Sequence, residues 1–294
     1  MIDGIRELVE KYTGPLTGAE RITDRRGVQV WRVTAAGGPD AWVGQSLAVK
    51  IATSGDERQA LASRRELAVL RAIARQSRSA RTRLIDGDGF TVTPWFGGPS
   101  TWELFGAARR DSVAGAEARR GMLDGGAQFC RAVADLHHLG WVHADLQAAH
   151  CIHTADGAQL IDFANAQGPR PLPETELNGE FAGGMAHPEA PELAAMLALG
   201  RPAVPTYASD VYALAASLWT AATGRWPLDY SAAGVGPQAA TQAELRAAIG
   251  AGAVPLDRRG AAWPELLDAL TPALDPQPRN RPTATQLAEC LDSL

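Results

Sequence analysis

The sequence predicts an α+β fold in two lobes, a small β-rich one followed by a larger helical one. Three observations carry that expectation. Between positions 19 and 52 apolar and polar residues alternate with the period of strands. From position 101 onward apolar residues recur at helical spacing. Between the two regimes, Gly97-Gly98-Pro99 breaks both patterns and reads as a hinge. The lobes are therefore expected at residues 1–96 and 97–294.

Taken in order, residues 2–12 read as a short helix. Strands follow at 19–23, 28–35 and 41–52, separated by turns at Asp24-Arg25-Arg26-Gly27 and Gly37-Gly38-Pro39-Asp40. Residues 57–75 place Leu67, Leu70, Ile73 and Ala74 on one helical face. Residues 82–94 read as two strands around Asp86-Gly87-Asp88-Gly89. Helices are expected at 101–108, 116–139, 209–223, 242–249, 263–273 and 283–294, with Pro/Gly-rich connections at 167–184 and 230–237. The 209–223 segment is apolar nearly all round, as a buried central helix is.

Composition bounds the function. A chain of 294 residues with 46% hydrophobic content can build a sizeable core. A net charge of −5 gives no reason to expect nucleic acid or an anionic membrane as partner. The first residues carry acids early and resemble no signal peptide, and residues 211–222 are too short to span a bilayer. Cys130, Cys151 and Cys290 are scattered, as reduced cytoplasmic thiols are, and the histidines lack zinc spacing. A cytoplasmic protein is expected. Of 28 basic residues only Lys11 and Lys50 are lysine. Lys50 lies in the apolar run Leu47-Ala48-Val49-Lys50-Ile51-Ala52, where an unpaired charge is costly. It reads as a paired, functional lysine, the alternative being a snorkelling side chain at a strand edge.

The sharpest local signal is His143-Ala144-Asp145-Leu146-Gln147-Ala148-Ala149-His150, followed by Leu160-Ile161-Asp162-Phe163-Ala164. The pair resembles the catalytic loop and the metal-binding segment of the eukaryotic-like Ser/Thr protein-kinase superfamily. Lys50 in its strand, Glu66 sixteen residues later, Ala190-Pro191-Glu192, Ser209-Asp210 and Arg281-Pro282-Thr283 resemble further motifs of that family in the family's order. The resemblance covers about residues 19–294 and implies an ATP-dependent transfer of phosphate to a hydroxyl. Phosphoryl transfer needs neutralised phosphate charge and an aligned acceptor more than covalent help. By the resemblance, Lys50 binds the α/β-phosphates and is held by Glu66. Asp162 holds Mg²⁺ or Mn²⁺ with His150 as second ligand, and Asp145 orients the acceptor hydroxyl and takes its proton. Thr93 gates the back of the adenine pocket, which the Pro94 carbonyl and the Phe96 amide line. His143, Asp210 and the Glu192–Arg281 pair are implied to be structural.

Four positions depart from the family pattern. The first strand turn offers one glycine, Gly27; Arg25 or Arg26 reads either as a substitute for the phosphate-binding amides or as part of a solvated turn. Ala144 replaces an arginine and Gln147 a lysine; His150 replaces an asparagine, as in the lipopolysaccharide-core kinases. The chain therefore reads as an atypical bacterial member with a degenerate Gly-rich loop. Its expected partners are a protein or peptide substrate, such as a precursor peptide, and an accessory protein, with no nucleic acid and no membrane. A pseudokinase scaffold and a small-molecule phosphotransferase are the alternatives. Arg58, Arg64, Arg65, Arg71, Arg75, Arg78, Arg81 and Arg83, and Glu174, Glu176, Glu180 and Glu189, read as solvated faces, or as docking sites for a charged partner. The methionines and Trp141 read as core.

Overall fold

The computed structural model describes residues 3–25, 27–37, 44–52, 57–76, 84–87, 89–110, 115–236, 238–252, 254–259 and 263–294. Arg26, Arg78, Arg81, Arg83, the turn at 38–40 and the side chain of Arg58 lie outside the described residues. The fold is mixed α+β, with a five-stranded antiparallel sheet and a helical part. It divides into two compact units, Met1–Phe96 with Arg170–Asn178, and Gly97–Pro169 with Gly179–Leu294.

In the first unit, helix α1 (Asp3–Thr13) leads into strands β1 (Leu16–Arg25), β2 (Val28–Ala35) and β3 (Ser46–Ala52). Helix α2 (Glu57–Gln76) and strands β4 (Ile85–Gly87) and β5 (Phe90–Pro94) complete it, in sheet order β1-β2-β3-β5-β4. Side chains alternate across a strand, so Leu47, Val49 and Ile51 enter the core with Val9, Val33, Phe90 and Val92. The same alternation turns Lys50 to the opposite face. β1 is longer than its apolar pattern suggested because it is mostly exposed: ladder bonds to β2, interrupted by two register shifts, define it.

The second unit comprises α3 (Thr101–Leu104), α4 (Gly106–Arg110), α5 (Ala116–His138), the hairpin β6 (Cys151–Thr154) and β7 (Gly157–Leu160), α6 (Pro191–Ala198), α7 (Tyr207–Thr223), α8 (Gln242–Gly250), α9 (Pro264–Leu270) and α10 (Ala284–Asp292). Thr206 and Ser209 form a reciprocal cap at the start of α7, and Gly224, at φ 71°, ends it. Between them α7 is buried from Ser209 to Ala222 apart from Ala213, so Tyr212, Leu218 and Trp219 form the centre of the core against α5, α9 and α10. Gly97-Gly98-Pro99 sits at the unit boundary. Gly98 is needed for close approach: a Cβ there would lie 2.0 Å from the His153 carbonyl oxygen of β6. No described helix is long and apolar enough to cross a membrane.

Candidate active site

The loop between α5 and β6 is held by one carboxylate. Asp210, buried in the first turn of α7, accepts from the amides of His143 (2.7 Å) and Ala144 (2.9 Å) and also meets His137 Nε2 at 3.1 Å. These bonds hold Ala144 at φ 63°, a left-handed conformation that costs an alanine about 1 kcal/mol. The next residue, Asp145, is thereby turned out of the core. His143 packs on Phe163 and lies 3.1 Å from the Ile161 carbonyl through Nε2, while its Nδ1 accepts from the Asp145 amide at 3.3 Å. One bond needs a proton on Nε2 and the other a lone pair on Nδ1, which specifies the neutral tautomer. Burial pushes the His143 pKa below its ordinary value, in the same direction. His143 is therefore a structural tie between the loop and the segment carrying Asp162.

Asp145, His150 and Asp162 converge. Each offers one ligand atom, and those atoms lie within 4.8 Å of one another. His150 Nδ1 lies 2.8 Å from the Asp145 carbonyl oxygen, which only accepts, so Nδ1 carries the proton. Nε2, 3.5 Å from Asp162 Oδ2, is then the basic nitrogen. A second bond of this kind fixes the tautomer of metal-ligating histidines. Asp162 itself has φ 67°, a second left-handed residue in the same loop system. Two carboxylates and one imidazole nitrogen at this spacing form a donor set suited to a divalent cation with a preference for oxygen and nitrogen. Asp145 is also oriented by its neighbours. Gln147 Nε2 donates to its Oδ1 at 3.0 Å and Asn165 Nδ2 to its Oδ2 at 3.4 Å. Asn165 carried no signal in the sequence beyond lying three residues after Asp162.

In the first unit Lys50 Nζ and Glu66 Oε2 are 2.5 Å apart, with side chains 26% and 9% exposed. Burial of that degree is tolerable for a lysine only when it is paired, so β3 and α2 together place a charge that neither would hold alone. Thr93 and Pro94 end β5 opposite Ala48 and Leu47 of β3. Phe96 is the last residue of the unit before the boundary, half-buried like Thr93 and Pro94.

Two readings of surface charge are corrected. Glu189 is not on a solvated face: it is buried, and Arg246 of α8 binds both of its oxygens at 2.8 Å. The separation of 57 residues hid this pair from local pattern. Arg65 does not merely face water, whereas Arg64, 49% exposed, does lie on a solvated face. Arg65 Nε donates to the Leu177 carbonyl (3.0 Å), and Arg64 lies 3.4 Å from Glu176, so α2 holds the 174–178 segment within the first unit. Met196 is exposed rather than core, whereas Met122 and Trp141 are buried. Glu192 and Arg281 form a bidentate pair at 2.8 and 2.7 Å.

A scan against models of known protein families finds no match to this chain, and no curated protein matches it.

Proposed function

We propose that the chain is a protein-kinase-like phosphotransferase, moving the γ-phosphate of ATP to a Ser or Thr hydroxyl of a protein or peptide in a cytoplasmic setting. The observation that carries this reading is the Asp145–His150–Asp162 cluster, in which an oriented carboxylate stands beside a pair fit to hold a divalent cation. Asp145, with Gln147 and Asn165 on its oxygens, is the group to align the acceptor hydroxyl and take its proton. Asp162 and His150 are the residues that would hold Mg²⁺ or Mn²⁺, whose chemistry is to neutralise phosphate charge. Lys50, its ammonium kept in place by Glu66, is the group for the α/β-phosphates. Thr93, Pro94 and Phe96 are assigned to the adenine. The two-lobed kinase-like fold is part of the same proposal.

The test is ADP release by the purified chain with Mg²⁺ or Mn²⁺, with and without Ser/Thr peptides. Peptide-stimulated release that disappears in Asp145→Asn is expected. Nucleotide binding with no turnover under any condition would contradict the reading and mark a non-catalytic scaffold.

A further inference from the structure

The second unit contains an apolar cavity of about 260 Å³ whose lining includes Trp102, Gln147, Ala149, Met185, Pro188 and Trp226. Among the described residues, no charged one lines it. Both of its hydroxyls and the amide nitrogen of Gln147 are already engaged. Ser217 Oγ lies 2.7 Å from the Ala213 carbonyl and 3.1 Å from that of Leu146, Thr220 Oγ1 donates to Ala216 (2.7 Å), and the Gln147 amide nitrogen donates to Asp145. An apolar cavity of roughly 150 Å³ already takes up benzene, so this one has room for a Leu, Met or Phe side chain. Trp102, in α3, is 39% exposed.

Two residues of the cavity wall, Met185 and Pro188, also line the small pocket beside Asp145. Gln147 belongs to the cavity wall and to the Asp145 hydrogen-bond set. Met185 and Pro188 belong to the 184–188 segment, and a Cβ at Gly184 would meet Asp145 Oδ1 at 2.6 Å, so that segment runs directly against the carboxylate. Both ends of the segment are fixed. At one end Gly184 donates to Glu189 (3.1 Å), which Arg246 grips while also donating to the Gly184 carbonyl (3.2 Å). At the other, the His187 ring stacks on Trp226 with centroids 4.4 Å apart and bonds the Tyr230 hydroxyl at 3.0 Å. A pocket with rigid walls discriminates between occupants better than one that must first be ordered.

We propose that this cavity receives an apolar side chain of the acceptor polypeptide, flanking the hydroxyl presented to Asp145. The inference rests on the phosphotransfer reading for the meaning of Asp145. Its specificity follows from what the walls lack. A Lys, Asp or Glu side chain entering it would lose water without finding an ion partner, whereas an apolar one gains by leaving water.

The experiment is a scan of fluorescein-labelled Ser peptides with each flanking position set in turn to Leu, Phe, Ala, Lys or Asp. Binding is read by anisotropy on the Asp145→Asn protein and phosphate transfer on the wild type. One flanking position should favour Leu or Phe over Lys and Asp by roughly tenfold to a hundredfold in both readouts. Ala149→Leu, an exposed position that narrows the cavity without touching the core, should collapse that ratio, and Trp226→Leu should broaden it. Apolar preference in binding with no phosphate transferred would uphold the pocket and defeat the phosphotransfer reading. Transfer with no preference, or with preference for a charged residue, would overturn the pocket and leave the phosphotransfer reading standing. Binding of none of the peptides would also overturn it.

Discussion

Replacing Arg281 with Met should destabilise the second unit severely while leaving its volume almost unchanged. The Arg281 side chain is fully buried. It donates two bonds to Glu192, and single bonds to the carbonyls of Asp275 (2.8 Å), Ala208 (2.9 Å) and Pro276 (3.2 Å), and lies 5.0 Å over the Tyr212 ring. Methionine fills the space and supplies no donor, so Glu192 is left charged and three carbonyls lose their partner. Removing one member of a buried pair costs about 3–5 kcal/mol. For a unit of this size each kcal/mol lowers the melting temperature by about 2–4 °C, so a fall of about 6–20 °C is expected. Glu192→Gln leaves the fully buried Arg281 guanidinium without its counter-charge and should likewise cost about 3–5 kcal/mol. Thermal unfolding followed by tryptophan fluorescence measures both. An Arg281→Met midpoint within about 2 °C of wild type, the smallest shift a 1 kcal/mol effect produces, would refute the assignment of this pair as the tie between α6, α7 and the turn before α10.

If His150 Nε2 is a metal ligand, His150→Ala should lose most activity, and His150→Asn should recover it with Mg²⁺ because an oxygen donor returns. A Mg²⁺/Mn²⁺ activity ratio identical across the three proteins would exclude ligation. Thr175 is the single hydroxyl residue between Asp162 and Glu192. Arg65 holds this segment at Leu177, and Asn178 closes it onto Leu172 and Glu174, without any phosphate. Thr175→Ala should therefore leave turnover within a few-fold of wild type, whereas Asn178→Ala should speed proteolytic cleavage of residues 170–178. Burial lowers the pKa of His153 and of His187. The unfolded chain, with histidines near 6.5, then binds protons that the folded one does not. Stability should be complete above about pH 6.5 and fall as pH drops below it, and the urea midpoint of His187→Gln should show a flatter dependence.

What could be read in advance follows physical range. The buried helix α7 and the strands β2 and β3 are written in local periodicity, and their cores are where alternation and helical spacing put them. The β6–β7 hairpin is only eight residues of ladder around a short turn, too brief for a periodic pattern, and its sequence is half polar. Helix α6 was hidden for a different reason: it begins at Pro191, inside the motif that drew attention to Glu192, and continues in alanines that favour a helix without marking a face. The site divides in the same way. Asp145, His150 and Asp162 stand in two short, distinctive loops, so their proximity could be anticipated. Gln147 could be seen only as a departure, since nothing local says that its amide would bond Asp145. The Arg246–Glu189 pair joins α8 to a loop 57 residues earlier, a contact only the folded chain reveals.

The phosphotransfer proposal stands or falls on one comparison: transfer of the γ-phosphate of radiolabelled ATP to a Ser/Thr peptide library by wild type, Lys50→Met, Asp145→Asn and Asp162→Asn, each checked for an unchanged fold by circular dichroism. Wild type should label peptide, and each variant should fall by roughly a hundredfold or more, the usual effect of removing a charge that acts on the transition state. Labelling by Asp145→Asn equal to that of wild type would contradict the proposed chemistry.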